Sequence, residues 1–382
     1  MQQAAPSIVR VGALQALSFG MMGAIYPFLA LELRSAGIGG MLLVSALVAA
    51  PVLRLVSGPV WGAISDALGD LRRPLLLAVV LSVLGVLAIV LAPGPAVVVG
   101  AIVLALGRAG AGPLVDAASL TAVDHDTGRY GGIRRWGSLG FLGCVVLAAL
   151  GRDTLAIPPL LLAAVVGVGL VVGTVGLPRA AARTRIRRPD PRPLLRDPIT
   201  WLVLATAALH FAGIALYDAF FAVHLQSVGL GTTWLGVAIT LGIATELATL
   251  TLGGWLLRRL TAPGLLLLAI AVQLPRWVIT ALGTDAWTLV PVQVVHGFTF
   301  GGYWLACIAI LSRRAPRELT GSTQGLLAAA GGGVGSLIAN LVGSLIVEHG
   351  HSAWLFWTAL GLTGGAALTA LAVAIGTGRQ GA

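Results

Sequence analysis

Charge is scarce in this sequence. Only 10% of its 382 residues are Asp, Glu, Lys or Arg, whereas a soluble globular protein carries about 25%. With 57% of the residues hydrophobic, a chain this long has too few polar groups to cover a surface facing water. A soluble fold is excluded and a polytopic membrane protein is indicated. Lysine is absent: all 24 basic residues are arginine, and the formal net charge is +10. Cysteine occurs twice, at Cys144 and Cys307, inside apolar runs and without metal-ligand spacing, so both are expected to be packing residues and no metal centre is expected. A paired nucleophile and base is missing, as is a phosphate-binding loop, which argues against a membrane enzyme. No small-residue cleavage site marks the first apolar run, which reads as a membrane span and not as a signal peptide.

What is present is a series of apolar runs of roughly 20 residues, punctuated by Gly, Pro or Arg. Twelve transmembrane helices are expected, over 8–33, 41–65, 74–92, 96–122, 132–151, 154–177, 199–226, 232–257, 264–283, 286–311, 320–347 and 353–376, and the fold class is all-α. Arginines set the orientation. Arg10, Arg72, Arg73, Arg129, Arg134, Arg135, Arg258, Arg259, Arg313, Arg314, Arg317 and Arg379 sit at the even-numbered turns and the termini. Arg179, Arg183, Arg185, Arg187, Arg188, Arg192 and Arg196 fill a central linker, and only Arg34 and Arg152 fall in the alternate loops. By the positive-inside rule both termini and the linker are cytoplasmic. A solvated segment beside anionic lipid accounts for the basic linker, so no nucleic acid is expected.

The linker, 178–198, divides the chain into an N-terminal six-helix bundle, 1–177, and a C-terminal six-helix bundle, 199–382. A faint repeat supports the division: GAISDALGDLRRP (62–74) and GWLLRRLTAPG (254–264) occupy matching turns of the two halves. Internal repeats of this kind mark secondary transporters.

An ionisable group at mid-bilayer costs about 2.5–3.5 kcal/mol. Arg54, Arg108, His210, Glu246, Arg276 and His296 fall near the middles of spans, and Asp116, Arg134 and Asp218 lie within spans but off centre. They are expected to face one another or a water-filled cavity. Span four runs inward and span five outward, which puts Asp116 and Arg134 at similar depth. There the carboxylate and the guanidinium fork are expected to hold each other, as a ligand-replaceable pair or as a fixed salt bridge. His210, Tyr217 and His224 recur on one face of span seven with Asp218 flanking it, and Gln15, Phe19, Met22 and Tyr26 share a face of span one. Each stripe suits a cavity wall or ordinary helix packing. Gly107, Gly110 and Gly112 with Pro113 in span four, and Gly331, Gly332, Gly333, Gly335 and Gly343 in span eleven, suit close packing and bending alike.

The turn Gly62-Ala-Ile-Ser-Asp66-Ala-Leu-Gly69-Asp-Leu-Arg72-Arg73 resembles the G-x-x-x-D-x-x-G-x-x-R-R signature between spans two and three of the major facilitator superfamily. The resemblance implies a gating motif in which Asp and Arg clamp the cytoplasmic ends of helices. It departs from the usual form at Ala67, where a basic residue is common. A narrower resemblance, to the proton-symporter branch of lactose, nucleoside and phenylpropionate permeases, covers nearly the whole chain. It rests on Gly23-x-x-x-Pro27-Phe28, Arg54, Pro113-Leu114-x-Asp116, Tyr130-Gly-x-Ile-Arg134-x-Trp136-Gly137-Ser138, Glu246, Pro275-Arg276-Trp277 and His296-Gly297. It implies that Asp116 and Arg134 bind substrate and that Glu246, Arg276 and His296 serve proton and substrate. The residue reading adds Tyr26, Arg54, Arg108, His210 and Tyr217 to the substrate wall and Asp218 to the proton set. One turn after His296 this chain has Thr299 where the branch has a proton-carrying Glu. That duty falls to Glu246, Asp116 or Asp218, or coupling is absent.

The resulting expectation is a monomeric secondary transporter, coupled to protons and without other cofactors, that carries a small solute by alternating access. Separation of a Glu246–Arg276 pair would change proton affinity during the cycle. Arg54, Arg108, Arg134 and Arg276 outnumber Asp116 and Glu246, which favours an organic or aromatic carboxylate, with a nucleoside or sugar next. An export antiporter for drugs or metabolites, and a non-transporting sensor or scaffold, remain alternatives.

Overall fold

Each apolar run folds as helix, because a backbone that crosses lipid must satisfy its polar groups internally. A computed structural model of the protein describes residues 6–29, 32–33, 37–38, 40–91, 94, 96–155, 157–178, 189–349 and 351–378. The expectations for Arg34, Arg179, Arg183, Arg185, Arg187, Arg188 and Arg379 lie outside the described residues. Spans one to seven are Ile8–Ile25, Gly40–Leu68, Arg72–Leu91, Ala96–Ala122, Thr127–Leu155, Pro159–Val175 and Pro198–Ser227. Span eight is Thr232–Thr251 continued by Gly253–Leu260, span nine is Ala262–Leu282, span ten occupies Ala286–Arg314, span eleven Arg317–Val347 and span twelve Ala353–Gly378. Among the described residues, 11 helical segments are long and apolar enough to cross a membrane, and Pro159–Val175 is a shorter apolar helix.

Local chemistry explains where the expected limits moved. Span one's regular helix ends at Ile25 and not near 33, since Pro27 has no N–H to continue the ladder. Span five begins at Thr127, before the expected 132, because the Asp126 carboxylate accepts the N–H groups of Gly128 at 2.9 Å and Arg129 at 3.3 Å. Tyr130 and Arg134 therefore sit inside the helix. Span eight breaks at Leu252, ahead of the Gly253-Gly254 pair.

Spans ten and eleven are irregular. Span ten passes through a tight turn at Pro291–Val295 and a wide, π-type turn at Gly297–Gly302 before Tyr303–Arg314. Span eleven has a wide turn at Ala329–Gly335 between Thr320–Ala328 and Ser336–Glu348. Both wide turns are glycine-rich, and such turns recur at functional sites.

The chain forms two compact units: Met1–Asp190 with Pro316–Ala329, and Pro191–Ala315 with Ala330–Ala382. The first part of span eleven thus belongs with the N-terminal helices, and the division falls at its wide turn. In the first unit, spans one and five touch backbone to backbone. A Cβ on Gly140 would lie 2.0 Å from the Ala16 carbonyl oxygen, and one on Gly23 would lie 2.3 Å from that of Phe141. Glycine is required at both positions. In the second unit the core is aromatic, with Trp277, Phe221 and Phe356 fully buried and the Trp277 indole donating to Thr363 Oγ1 at 2.9 Å.

Asp197 fastens the start of span seven. Its carboxylate caps the helix at Ile199 N and Thr200 N, at 3.3 and 3.2 Å. Arg314, at the end of span ten, forks onto both of its oxygens. Those hydrogen bonds, Arg314 first, hold the Asp197 carboxyl below its ordinary value. A depressed carboxyl stabilises the fold above its unfolded-state pKa, and the contribution is lost as pH falls through the folded one. Asp197→Asn should lower stability at neutral pH by about 1–2 kcal/mol. Thermal unfolding in detergent should show the gap from the parent closing as the medium is acidified below pH ~4.

Candidate functional site

In the first unit the striped face of span one carries the site. Gln15 Nε2 donates to Asp116 Oδ1 at 2.8 Å and to Ser119 Oγ at 3.1 Å. Tyr130, fully buried in span five, donates its hydroxyl to the same Asp116 oxygen at 2.8 Å. One turn along span one from Gln15, Phe19 lies beneath the Arg134 guanidinium, with Cζ 3.8 Å from the ring centroid. Arg134 is only 3% exposed, and its Nε and Nη1 have no hydrogen-bond partner. Arg108, 5% exposed, reaches Ser18 Oγ through Nη1 and Nη2 at 3.3 and 3.4 Å, and its Nε is also without a partner. At the end of the stripe Tyr26 accepts from Arg54 Nη2 at 2.9 Å, and the charge of Arg108 also acts on this phenol.

The expected Asp116–Arg134 pair does not form. Helix depth placed the two close enough to interact electrostatically. However, Gln15 and Tyr130 converge on Asp116 while Arg134 turns onto Phe19. Depth along a span was readable from residue counting, but the direction around the helix axis was not.

In the second unit Arg276 of span nine is the hub. Gln293 Oε1 accepts from its Nε at 3.1 Å and its Nη2 at 2.6 Å, while Gln273 Oε1 and Thr299 Oγ1 accept from Nη1 at 3.3 and 3.1 Å. The rings of Tyr217 and Trp277 flank the guanidinium, with centroids at 4.5 and 4.9 Å. This corrects the expected Glu246–Arg276 pair: neutral amides and a hydroxyl, not a carboxylate, hold the cation. Glu246, 6% exposed, instead approaches His296, with Oε2 4.0 Å from Nε2. His296 stacks on Phe300 at 5.5 Å. Asp218 is exposed beside buried Tyr217 and senses the charges of Arg276 and Glu246.

Each histidine of span seven is buried, engages one ring nitrogen and keeps the other without a partner. His210 is fully buried, with Nε2 2.7 Å from the Thr299 carbonyl oxygen, and His224 Nδ1 lies 3.0 Å from Ser352 Oγ. Gln273 and Gln293 are the functional-site residues that charge counting missed. The available signal was a glutamine one turn before Arg276 inside an apolar span.

The signature turn acts differently from the expected Asp–Arg clamp. Asp66 accepts the backbone N–H groups of Gly321 and Ser322 at 2.9 and 2.7 Å, so it caps the helix Thr320–Ala328. Arg73 pairs with Asp70 at 3.5 Å, and Asp70 also accepts Arg72 N at 2.9 Å. Gly69 adopts φ +58° at the turn, which explains a glycine there. Gly62 and Gly58 meet Gly321 and Gly325: a Cβ on Gly62 would be 2.2 Å from Gly321 O, and one on Gly325 would be 2.5 Å from Gly58 O. Nearby, Arg317 pairs with Asp124 at 2.6 Å.

Apolar helices that keep guanidiniums, carboxylates and amides inside each unit mark a multi-pass membrane protein, and its relatives make it a transporter and not an enzyme. The profile of the MFS_1-like family matches residues 12–358, and the chain belongs to that family. The chain is 28% identical over 371 residues to the maltose permease of Geobacillus stearothermophilus, covering 93% of this chain and 92% of that protein. It is 28% identical over 251 residues to a probable 3-phenylpropionic acid transporter of Escherichia coli (strain K12), covering 64% and 65% of the two chains. Among solved structures, a bacterial homologue of the iron transporter ferroportin superposes with a TM-score of 0.76 at 17% identity, over 96% of this chain and 99% of that one. At that identity the likeness shows the shared twelve-span fold.

Proposed function

We propose that the protein is a proton-coupled symporter that carries a small organic carboxylate across the bacterial plasma membrane by alternating access, with both termini in the cytoplasm. One observation supports the carboxylate above all. Arg134 is buried, lies over the Phe19 ring and has two nitrogens, Nε and Nη1, without a hydrogen-bond partner. An unpaired buried charge is costly. A carboxylate meets a guanidinium fork with two charge-assisted hydrogen bonds, and an aromatic acid adds a ring to an apolar surface. The relative named as a probable 3-phenylpropionic acid transporter supports the same class. A sugar is the second reading, because the maltose permease matches over almost the whole chain and the Gln15–Asp116–Tyr130 group would suit hydroxyls.

For coupling, Glu246 is the proposed proton carrier, with His296 beside it and Asp218 nearby. Asp66 and the segment it caps are the proposed gate: release of Gly321 and Ser322 would free the start of span eleven.

Purified protein in proteoliposomes provides the test. Labelled 3-phenylpropionate should accumulate when the outside is acidified, a protonophore should abolish the effect, and Glu246→Gln should no longer respond to the gradient. Uptake indifferent to pH would remove proton coupling. Accumulation of maltose with no acid uptake would replace the carboxylate by a sugar, and acid-driven extrusion would reverse the direction.

A further inference from the structure

We infer, building on the carboxylate reading, that the substrate is a dicarboxylate, with one acidic group held at Arg134 and the other at Arg108. Both guanidiniums are more than nine-tenths buried, and among the described residues neither is within ion-pair distance of a carboxylate. Arg108 reaches the neutral hydroxyl of Ser18, lies beside the phenol of Tyr26 and the like charge of Arg54, and has its Nε unanswered. Arg134 has only the face of Phe19 and the more distant charge of Asp116.

Four described carboxylates of this unit are engaged elsewhere. Asp116 is taken by Gln15 and Tyr130, Glu32 by Arg152 at 3.1 Å, Asp70 by Arg73, and Asp66 by Gly321 and Ser322. Two desolvated cations thus await negative charge. A single carboxylate closing a fork on one guanidinium uses both of its oxygens, which leaves the other cation as it was. Ser18 and Phe19 are consecutive on span one and point about 100° apart. The two guanidiniums therefore approach that helix at one level from different sides, so the second anion must come from another part of the solute. A monocarboxylate would leave one buried charge unpaired, and the preference for a dianion follows from that penalty.

Thermal unfolding of the purified full-length protein tests this. The probes are alkanedioates from succinate to azelate, each paired with the monoacid of equal length, with 3-phenylpropionate and maltose as references. At least one diacid should bind about tenfold more tightly than its monoacid, the gain expected from one further set of charge-assisted hydrogen bonds. Arg108→Gln should erase that preference. Equal shifts from diacids and monoacids throughout the series would overturn the inference, as would a preference that survives Arg108→Gln. The paired comparison on the parent protein decides even where the variant does not fold. Monoacids that bind as well as diacids leave the broader carboxylate reading standing, whereas stabilisation by maltose alone removes both.

Discussion

Arg276→Met should destabilise the protein by about 3–5 kcal/mol, because it strands the Gln293 and Gln273 carbonyl oxygens that its guanidinium satisfies. The side chain is 1% exposed, so water does not readily replace the missing donors. A packing role and a transport role make separable forecasts. Removing both sides of a buried polar contact is often nearly neutral. Adding Gln293→Leu and Gln273→Leu to Arg276→Met should therefore return most of the melting temperature. Uptake should stay at least a hundredfold down if the cation also serves Asp218 and the coupling groups, a barrier change of about 3 kcal/mol. Recovery of uptake together with stability would make Arg276 purely structural.

Gly62→Ala should have an effect of similar size through sterics alone. Its Cβ would lie 2.2 Å from Gly321 O, 2.5 Å from Gly321 C and 2.7 Å from Ser322 N, all of them backbone atoms. Span two and the helix Thr320–Ala328 must then move apart, and Asp66 loses the two N–H groups it caps. Overpacking costs about 1–3 kcal/mol, and the lost charge-assisted bonds add about 1.5–3 kcal/mol. A Thr323→Cys reporter, at a site 2% exposed in the parent, should react much faster with a water-soluble maleimide once Gly62→Ala is present. Gly112→Ala is the control, since nothing lies within 4 Å of the added methyl. Unchanged reporter protection in the Gly62→Ala background would show that the close approach is not needed to hold this segment.

The spans were legible because lipid thickness imposes a length on apolar runs, and because proline, glycine and paired arginines punctuate them. The face of span one was legible too: Gln15, Phe19 and Tyr26 do meet Asp116, Arg134 and Arg54. Partner choice within a cluster was less visible. Charge counting pairs unlike charges, so it matched Arg134 with Asp116 and Arg276 with Glu246. The folded chain answers these groups with Phe19, Gln293, Gln273 and Thr299. Neutral amides and rings carry no electrostatic mark in a sequence, and the rotation of one helix against another is set by contacts such as Gly140 on Ala16. The Asp66 motif was recognisable, but its target was not, because backbone N–H groups look alike in every sequence.

The wide turn at Gly297–Gly302 affects any column-by-column comparison with relatives. Its i→i+5 bonding accommodates one residue more than an ordinary turn, so a homologue lacking it would align with a one-residue gap between His296 and Tyr303. Sliding the register by one either way brings Phe298 or Phe300 to the place of Thr299. No acid arrives there in either register, and none occurs elsewhere in Ala286–Arg314, so a carboxylate that carries a proton would have to lie on another helix.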